Sequence, residues 1–316
     1  MAHVDCSKLA KGLRLEGKLL QAMHPFRNAE ILKAAGMGSV LFFKAIPVRL
    51  LGGETVKVSK PGGYVNVAVY KGKGYRKGNG PTVGVLWLHG GGFVMGGPTM
   101  IAMTIARKIL NTLNCVMVVP DYTLAWKAPY PAAIDDCWAT LLWMKEHASE
   151  LGITAPKFVV GGESAGGGLT AGLTLYARDH GFEDIGLQLP LYPMIDCLPT
   201  ETNVDNDAPN WDSVANDLAW RMYLGEEPSE DVEPYASPSR ETNYEGLPRT
   251  ITLVGSVEPF NAEVKTYVEN LRNAGVDVAF REFEGCFHAF DMMQPFAKVS
   301  RDATKWILTE LKNGVR

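Results

Sequence analysis

Leu86-Trp87-Leu88-His89-Gly90-Gly91-Gly92-Phe93 is an apolar run that ends in a glycine loop. Without a Cβ in the way, such a loop can bring backbone N–H groups close to a substrate oxygen. Further along, Gly162-Glu163-Ser164-Ala165-Gly166 has the G-x-S-x-G spacing of a strand–turn–helix elbow that exposes a serine hydroxyl. Glycine clusters are common and short patterns recur by chance, so neither stretch decides anything alone. In this order, each after a strand-like run, the pair predicts acyl transfer by a nucleophilic serine.

Working outward, apolar runs at 83–88, 115–119, 158–160, 185–191 and 250–254 read as strands, as does the last segment, 278–283, which alternates in charge through Arg281 and Glu282. Helical patterns fall between them, at about 100–113, 131–152, 165–178, 262–274 and 296–312. Pro131 stands at the favoured first helical position, and Gly152 closes that helix. Continuous apolar strands alternating with helices predict an α/β fold with a mostly parallel sheet covered on both faces. Before this series, 55–58 and 64–70 alternate about Pro61-Gly62-Gly63 as a β-hairpin, and a polar, glycine-rich loop over 71–81 follows. Residues 1–46 read as helical pieces broken by Pro25 and by Gly36-Met37-Gly38. The polar region 198–248 interrupts the alternation with one helical stretch at 212–224. It reads as a cap insertion over the site. Trp211, Trp220 and Tyr223 could face a substrate there, although such aromatics more often pack a cap onto its core.

The chain has 316 residues, 46% hydrophobic and 21% charged, enough for one large domain with a cap. A net charge of −4 gives no electrostatic reason to expect nucleic acid. No apolar run approaches the roughly 18 residues of a membrane span. The charged N-terminus lacks the apolar core of a signal peptide. Five scattered cysteines argue against a disulfide framework and for a reducing, cytoplasmic setting. No C-x-x-C pair or H-E-x-x-H motif suggests a metal.

A serine needs a base within reach and an acid to orient that base. Of six histidines, His3 and His24 lie in the N-terminal segment and His147 and His180 near polar helix ends, while His89 begins the glycine loop. His288 remains, in Gly285-Cys286-Phe287-His288-Ala289-Phe290 just after the last strand, at the carboxyl end of the parallel sheet, where the elbow also emerges. For the acid, the order Ser–Asp/Glu–His selects the interval between Ser164 and His288. There Glu258 follows the strand 251–255 directly, on a loop held by Pro259. Glu263 lies in the next helix's first turn, where a favourable interaction with the helix dipole suffices to explain it. The N–H groups of Gly90, Gly91 and Ala165 are the candidate oxyanion donors, each such donor being worth roughly 3–4 kcal/mol. Gly166-Gly167-Gly168-Leu169-Thr170-Ala171 loosely matches a dinucleotide fingerprint. The strand ends too early for that motif, and the glycines read better as close-packing residues beneath the elbow.

These blocks, with Asp121-Tyr122, Pro129-Tyr130-Pro131-Ala132-Ala133 and Gly255-Ser256-Val257-Glu258-Pro259, resemble the hormone-sensitive-lipase-like bacterial carboxylesterases of the α/β-hydrolase superfamily. The resemblance covers about residues 80–300. It implies the α/β-hydrolase fold: a mostly parallel eight-stranded sheet flanked by helices, with a helical cap and no cofactor. It also implies hydrolysis of short-to-medium acyl esters. The expected division is cap helices at 1–46, core at 47–197, cap insertion at 198–232 and core at 233–316. Three departures stand out: Glu258 where the family usually has Asp, Asn261-Ala262 for its Arg-Asp, and Leu124-Ala125-Trp126-Lys127 for its Leu-Ala-Pro-Glu.

The reading is thus a cofactor-free serine carboxylesterase with Ser164 as nucleophile, His288 as base and Glu258 as orienting acid. Its partner is a small-molecule ester, and a homodimer through the last strand is expected. A deacetylase or amidase with the same triad is the enzymatic alternative. A non-catalytic receptor, such as the plant gibberellin receptors that resemble this family, is disfavoured because those have lost the histidine that this chain keeps.

Overall fold

All six residues of Val83–Leu88 are buried, as expected of a strand covered on both faces. The computed structural model describes residues 4–23, 26–72, 75 and 81–315. Its strands are β1 (Gly53–Lys60), β2 (Gly63–Lys71), β3 (Val83–Leu88), β4 (Cys115–Pro120), β5 (Phe158–Glu163), β6 (Ile185–Leu191), β7 (Arg249–Gly255) and β8 (Val278–Phe283). They form one eight-stranded sheet in the order β1-β2-β4-β3-β5-β6-β7-β8. The β1–β2 hairpin and the β2–β4 pair are antiparallel. From β4 through β8 every pairing is parallel. This is the α/β-hydrolase fold, and β8 lies at its edge.

The helices are α1 (Arg14–Met23), α2 (Ala29–Ala45), α3 (Ile105–Thr112), α4 (Ala132–Glu146), α5 (Ala148–Leu151), α6 (Ala165–Asp179), α7 (Ser213–Leu224), α8 (Asn261–Asn273), α9 (Phe290–Met293) and α10 (Lys298–Gly314). Strand residues alternate between two cores. Leu86 and Leu88 of β3 join Ile134 and Leu141 of α4 and Leu169 and Leu173 of α6. Val85 and Trp87 join Ile105 and Ile109 of α3 and Ile307 and Leu311 of α10. Each such apolar side chain stabilises the fold by roughly 1.5–3 kcal/mol when fully buried. Helix α2 packs against α7, and Phe26 meets Trp211 with ring centroids 6.0 Å apart.

Several expectations are corrected. Gly36-Met37-Gly38 does not break α2, which runs through it. A Cβ on Gly36 would stand 2.5 Å from the Val94 carbonyl oxygen and 2.9 Å from the Trp126 indole nitrogen. That glycine therefore serves close packing rather than a turn. The helix expected at 100–113 divides into a 3-10 turn, Pro98–Ala102, and α3, whose N-cap Thr104 accepts from the Ala106 amide. The helix expected at 296–312 is α10, preceded by the separate short α9. His3, His24 and Pro25 lie outside the described residues, as does most of the 71–81 loop.

Candidate active site

The two glycine motifs, far apart in sequence, meet in space. A Cβ on Gly166 would stand 2.0 Å from the Leu88 carbonyl oxygen and 2.6 Å from that of His89; one on Gly162 would stand 2.4 Å from the Leu88 oxygen. Only glycine lets α6 start so close to the end of β3. Between them Ser164 adopts φ 58° and ψ −122°, a conformation costly for a residue with a side chain, of order 1–3 kcal/mol. That turn lifts the hydroxyl off the sheet.

Across the end of the sheet, Ser164 Oγ lies 2.8 Å from His288 Nε2. His288 Nδ1 lies 2.5 Å from Glu258 Oε2. The other carboxylate oxygen, Oε1, accepts from the Gly255 amide at 2.5 Å. Glu258 is wholly buried and His288 nearly so. The imidazole is held edge-on by Tyr192 and Phe260, with centroids 5.1 and 4.8 Å away. Asn210 donates to the His288 carbonyl from the segment before α7. These side chains can pass a proton from the hydroxyl to the ring, with a carboxylate behind it.

Gly91 and Gly92 carry φ of 114° and 60°, turning the loop sharply around the site. His89 braces this loop. It is 1% exposed, stacks on Tyr122 at 4.2 Å, and places Nδ1 2.9 Å from the Gly90 carbonyl oxygen. Burial lowers its pKa to about 4, so the ring is neutral near pH 7. Tyr122 in turn donates to the His89 carbonyl.

The serine opens into a cavity of about 250 Å³ whose walls include Phe26, Phe43, Met95, Trp211, Met292 and Met293. A larger cavity of about 540 Å³ lies between α2 and the β1–β2 hairpin; it shares Phe43 and Gly96 with the first but contains none of Ser164, Glu258 and His288. Of the three cap aromatics singled out in sequence, only Trp211 reaches the Ser164 cavity. Trp220 and Tyr223 pack on Phe93 instead, at 5.5 and 3.9 Å.

Two carboxyls depart from what the sequence suggests. Glu263 is indeed in the first turn of α8, but it is 2% exposed and its Oε1 accepts from the amides of Ile195 and Asp196. Burial raises its pKa well above the ordinary range, so its role exceeds an interaction with the helix dipole. Glu163, inside the elbow motif, is 3% exposed with neither carboxyl oxygen in a hydrogen bond. Burial, and next the charge of Asp291, push its pKa up to about 8. The Gly90 amide and Trp87 indole oppose that rise from nearby, though neither meets the carboxyl in hydrogen-bond geometry. Its place in the elbow was legible in sequence; its isolation was not, because the neighbours come from β3 and α9.

A family profile described as the alpha/beta hydrolase fold matches residues 85–292. The chain belongs to this hormone-sensitive-lipase-like family of α/β hydrolases. Esterase LipI of Mycobacterium tuberculosis is 32% identical over 231 residues, 72% of each chain. Carboxylesterase NlhH of the same organism is 32% identical over 236 residues, 73% of each chain. Among solved structures, a bacterial heroin esterase superposes with a TM-score of 0.85 at 31% identity, covering 98% of this chain and 99% of the other.

Two departures of this α/β hydrolase from its family pattern acquire structural roles. The Trp126 indole N–H donates to the Val94 carbonyl at 3.0 Å, forming the surface on which Gly36 of α2 rests. Asn261 donates to the Gly255 carbonyl at 2.9 Å and to Glu282 at 2.8 Å, tying the loop that carries Glu258 to β8.

Proposed function

We propose that the protein is a serine carboxylesterase. Ser164 attacks the ester carbonyl and His288 Nε2 takes its proton, while the buried charge of Glu258 holds the imidazole tautomer and stabilises the imidazolium. The developing oxyanion is received by the N–H groups of Gly90, Gly91 and Ala165. Of these, the Gly90 amide also faces the Glu163 carboxyl. His288 then returns the proton to the departing alcohol, leaving an acyl-enzyme. Water, deprotonated by the same ring, releases the acid and restores Ser164.

The observation that carries this reading is the continuous line Ser164 Oγ–His288 Nε2, 2.8 Å, and His288 Nδ1–Glu258 Oε2, 2.5 Å, opening into an apolar cavity. Esterase and carboxylesterase relatives across most of the chain support the substrate class. The cap, taken as residues 1–46 and 198–232, closes over the acyl pocket. A cavity of about 250 Å³ suits short-to-medium acyl groups, about two to eight carbons by analogy with the fold family. Assembly is proposed as a homodimer paired along β8.

The test is covalent labelling with an organophosphonate, alongside Ser164→Ala and a chain-length series of p-nitrophenyl esters. Stoichiometric modification should map to Ser164, and Ser164→Ala should fold normally with at least about a thousandfold less activity. A fully active Ser164→Ala enzyme, or label on another residue, defeats the mechanism. Preference for long-chain emulsified triglycerides would overturn the pocket assignment alone.

A further inference from the structure

We propose that the outer face of α1 and α2 docks the enzyme on an anionic phospholipid surface beside the mouth of the Ser164 cavity. Single exposed apolar residues are ordinary on protein surfaces, but here they are concentrated. Among the described residues, eight of the thirteen large hydrophobic side chains that are exposed lie between Leu15 and Leu50. Leu15, Leu19 and Met23 are 75, 55 and 63% exposed, and their spacing of four places them in one stripe along α1. On α2, Met37 and Leu41 repeat that spacing, with Phe42 beside them. The opposite side of each helix is spent on the core, through Gly17 on α1 and Leu32 and Gly36 on α2.

The charge of this segment runs against that of the chain. Residues 1–51 hold eight lysines and arginines against three acids, a net of +5, whereas the whole chain carries −4. All eight basic residues are exposed. Arg14 and Lys18 precede Leu15 and Leu19 by one residue each, so a basic row flanks the apolar stripe of α1. Lys33, Met37, Leu41 and Lys44 form a similar row on α2, with its apolar members between two cations. Apolar side chains flanked by basic ones, on helices that do not span, are the combination that holds a protein in a bilayer interface. No described helix is long and apolar enough to cross a membrane. A second copy fits poorly, because a two-fold contact would set +5 against +5.

The segment that carries this face also borders the Ser164 cavity. Phe26, between the two helices, and Ser39 and Phe43 of α2 line the Ser164 cavity. On the other side Gln294 donates to Glu16 of α1, directly after the cavity residues Met292 and Met293.

Vesicle co-sedimentation tests this, using phosphatidylcholine alone and phosphatidylcholine mixed with phosphatidylglycerol. The wild type and Ser164→Ala should both bind the mixed vesicles, and added salt should weaken binding. Leu15→Ser, Leu19→Ser, Leu41→Ser and Phe42→Ser combined should lower the partition coefficient at least about tenfold. Lys11→Gln, Lys18→Gln and Lys33→Gln combined should lower it on the order of a hundredfold. Both variants should still hydrolyse water-soluble p-nitrophenyl acetate at the wild-type rate, which shows that they are folded. Because Ser164→Ala is expected to bind, the docking surface and the catalytic reading can fail separately. No binding to mixed vesicles at low salt overturns the proposal, as does equal binding by the apolar variant. It is likewise overturned if vesicles go unbound and the wild type self-associates through these leucines.

Discussion

The Gly255 amide donates to Glu258 Oε1 at 2.5 Å, so the carboxylate that reaches His288 is anchored to the strand end three residues before it. One oxygen is fixed by backbone and the other faces the imidazole. The extra methylene of glutamate is taken up by this fold-back. Asn261 secures the same turn through the Gly255 carbonyl.

Glu258→Gln keeps the shape but removes the charge opposite the imidazolium and admits the wrong tautomer. Its kcat should fall on the order of a hundredfold to ten-thousandfold, with KM changed much less. Glu258→Asp retains the charge but cannot span both Gly255 and His288, so intermediate activity is expected. Steady-state kinetics on p-nitrophenyl butyrate decide it, and a nearly wild-type Glu258→Gln would mean another acid orients the ring.

Glu263 separates stability from catalysis. Removing its side chain in Glu263→Ala leaves the Ile195 and Asp196 amides unpaired beside a cavity, at a cost of about 2–4 kcal/mol. Glu263→Gln, which is close in shape and can still accept, should leave kcat nearly unchanged. Urea melts and kinetics on both variants check this; a crippled kcat in a stable Glu263→Gln would exchange its role with that of Glu258.

The buried Glu163 carboxyl makes stability fall with rising pH. Its pKa is raised from 4.5 to about 8 by burial and then by Asp291. Between those values the unfolded chain has lost this proton while the folded protein still holds it. The stability it contributes is therefore complete below about 4.5 and is lost as the pH rises through about 8. Glu163→Gln has no such proton. Relative to wild type it should gain stability between about pH 5 and about pH 8.5, by up to a few kcal/mol. Denaturation at both pH values reads the difference, and a difference that does not change with pH would show the folded carboxyl to be ionised throughout.

Two glycine-to-alanine changes in helices should act in opposite directions. At Gly166 the new methyl meets backbone oxygens at 2.0 and 2.6 Å, so α6 must shift away from β3, at about 1–3 kcal/mol or more and with loss of activity. At Gly38 nothing lies within 4 Å, and the variant should gain up to about 1 kcal/mol from helix propensity. Thermal melts of both, with similar outcomes, would contradict the packing described.

The edge strand β8 leaves a row of backbone groups available to a second copy across a two-fold axis. Light scattering at micromolar concentration should give a dimer, and Arg281→Pro, which removes one backbone donor from that strand, should weaken it. A monomeric wild type would show instead that the exposed charges of Arg281 and Glu282 keep the edge free.

The sequence by itself determined the strands that run through both cores, because a strand buried on two faces must be apolar along its whole length. Runs at 83–88 and 185–191 accordingly match β3 and β6 residue for residue. It also singled out Ser164, Glu258 and His288 as candidates, since nucleophilic chemistry needs those residue types and the α/β-hydrolase fold carries them in that chain order. Tertiary structure alone decided what depends on neighbours distant in the chain. Gly36 continues a helix because Val94 and Trp126 crowd it. Trp211 reaches the cavity while Trp220 and Tyr223 stack on Phe93, though all three share one segment. Glu163 and Glu263 are buried by β3, α9 and the 195–196 backbone, and burial, which no local pattern encodes, sets their charge.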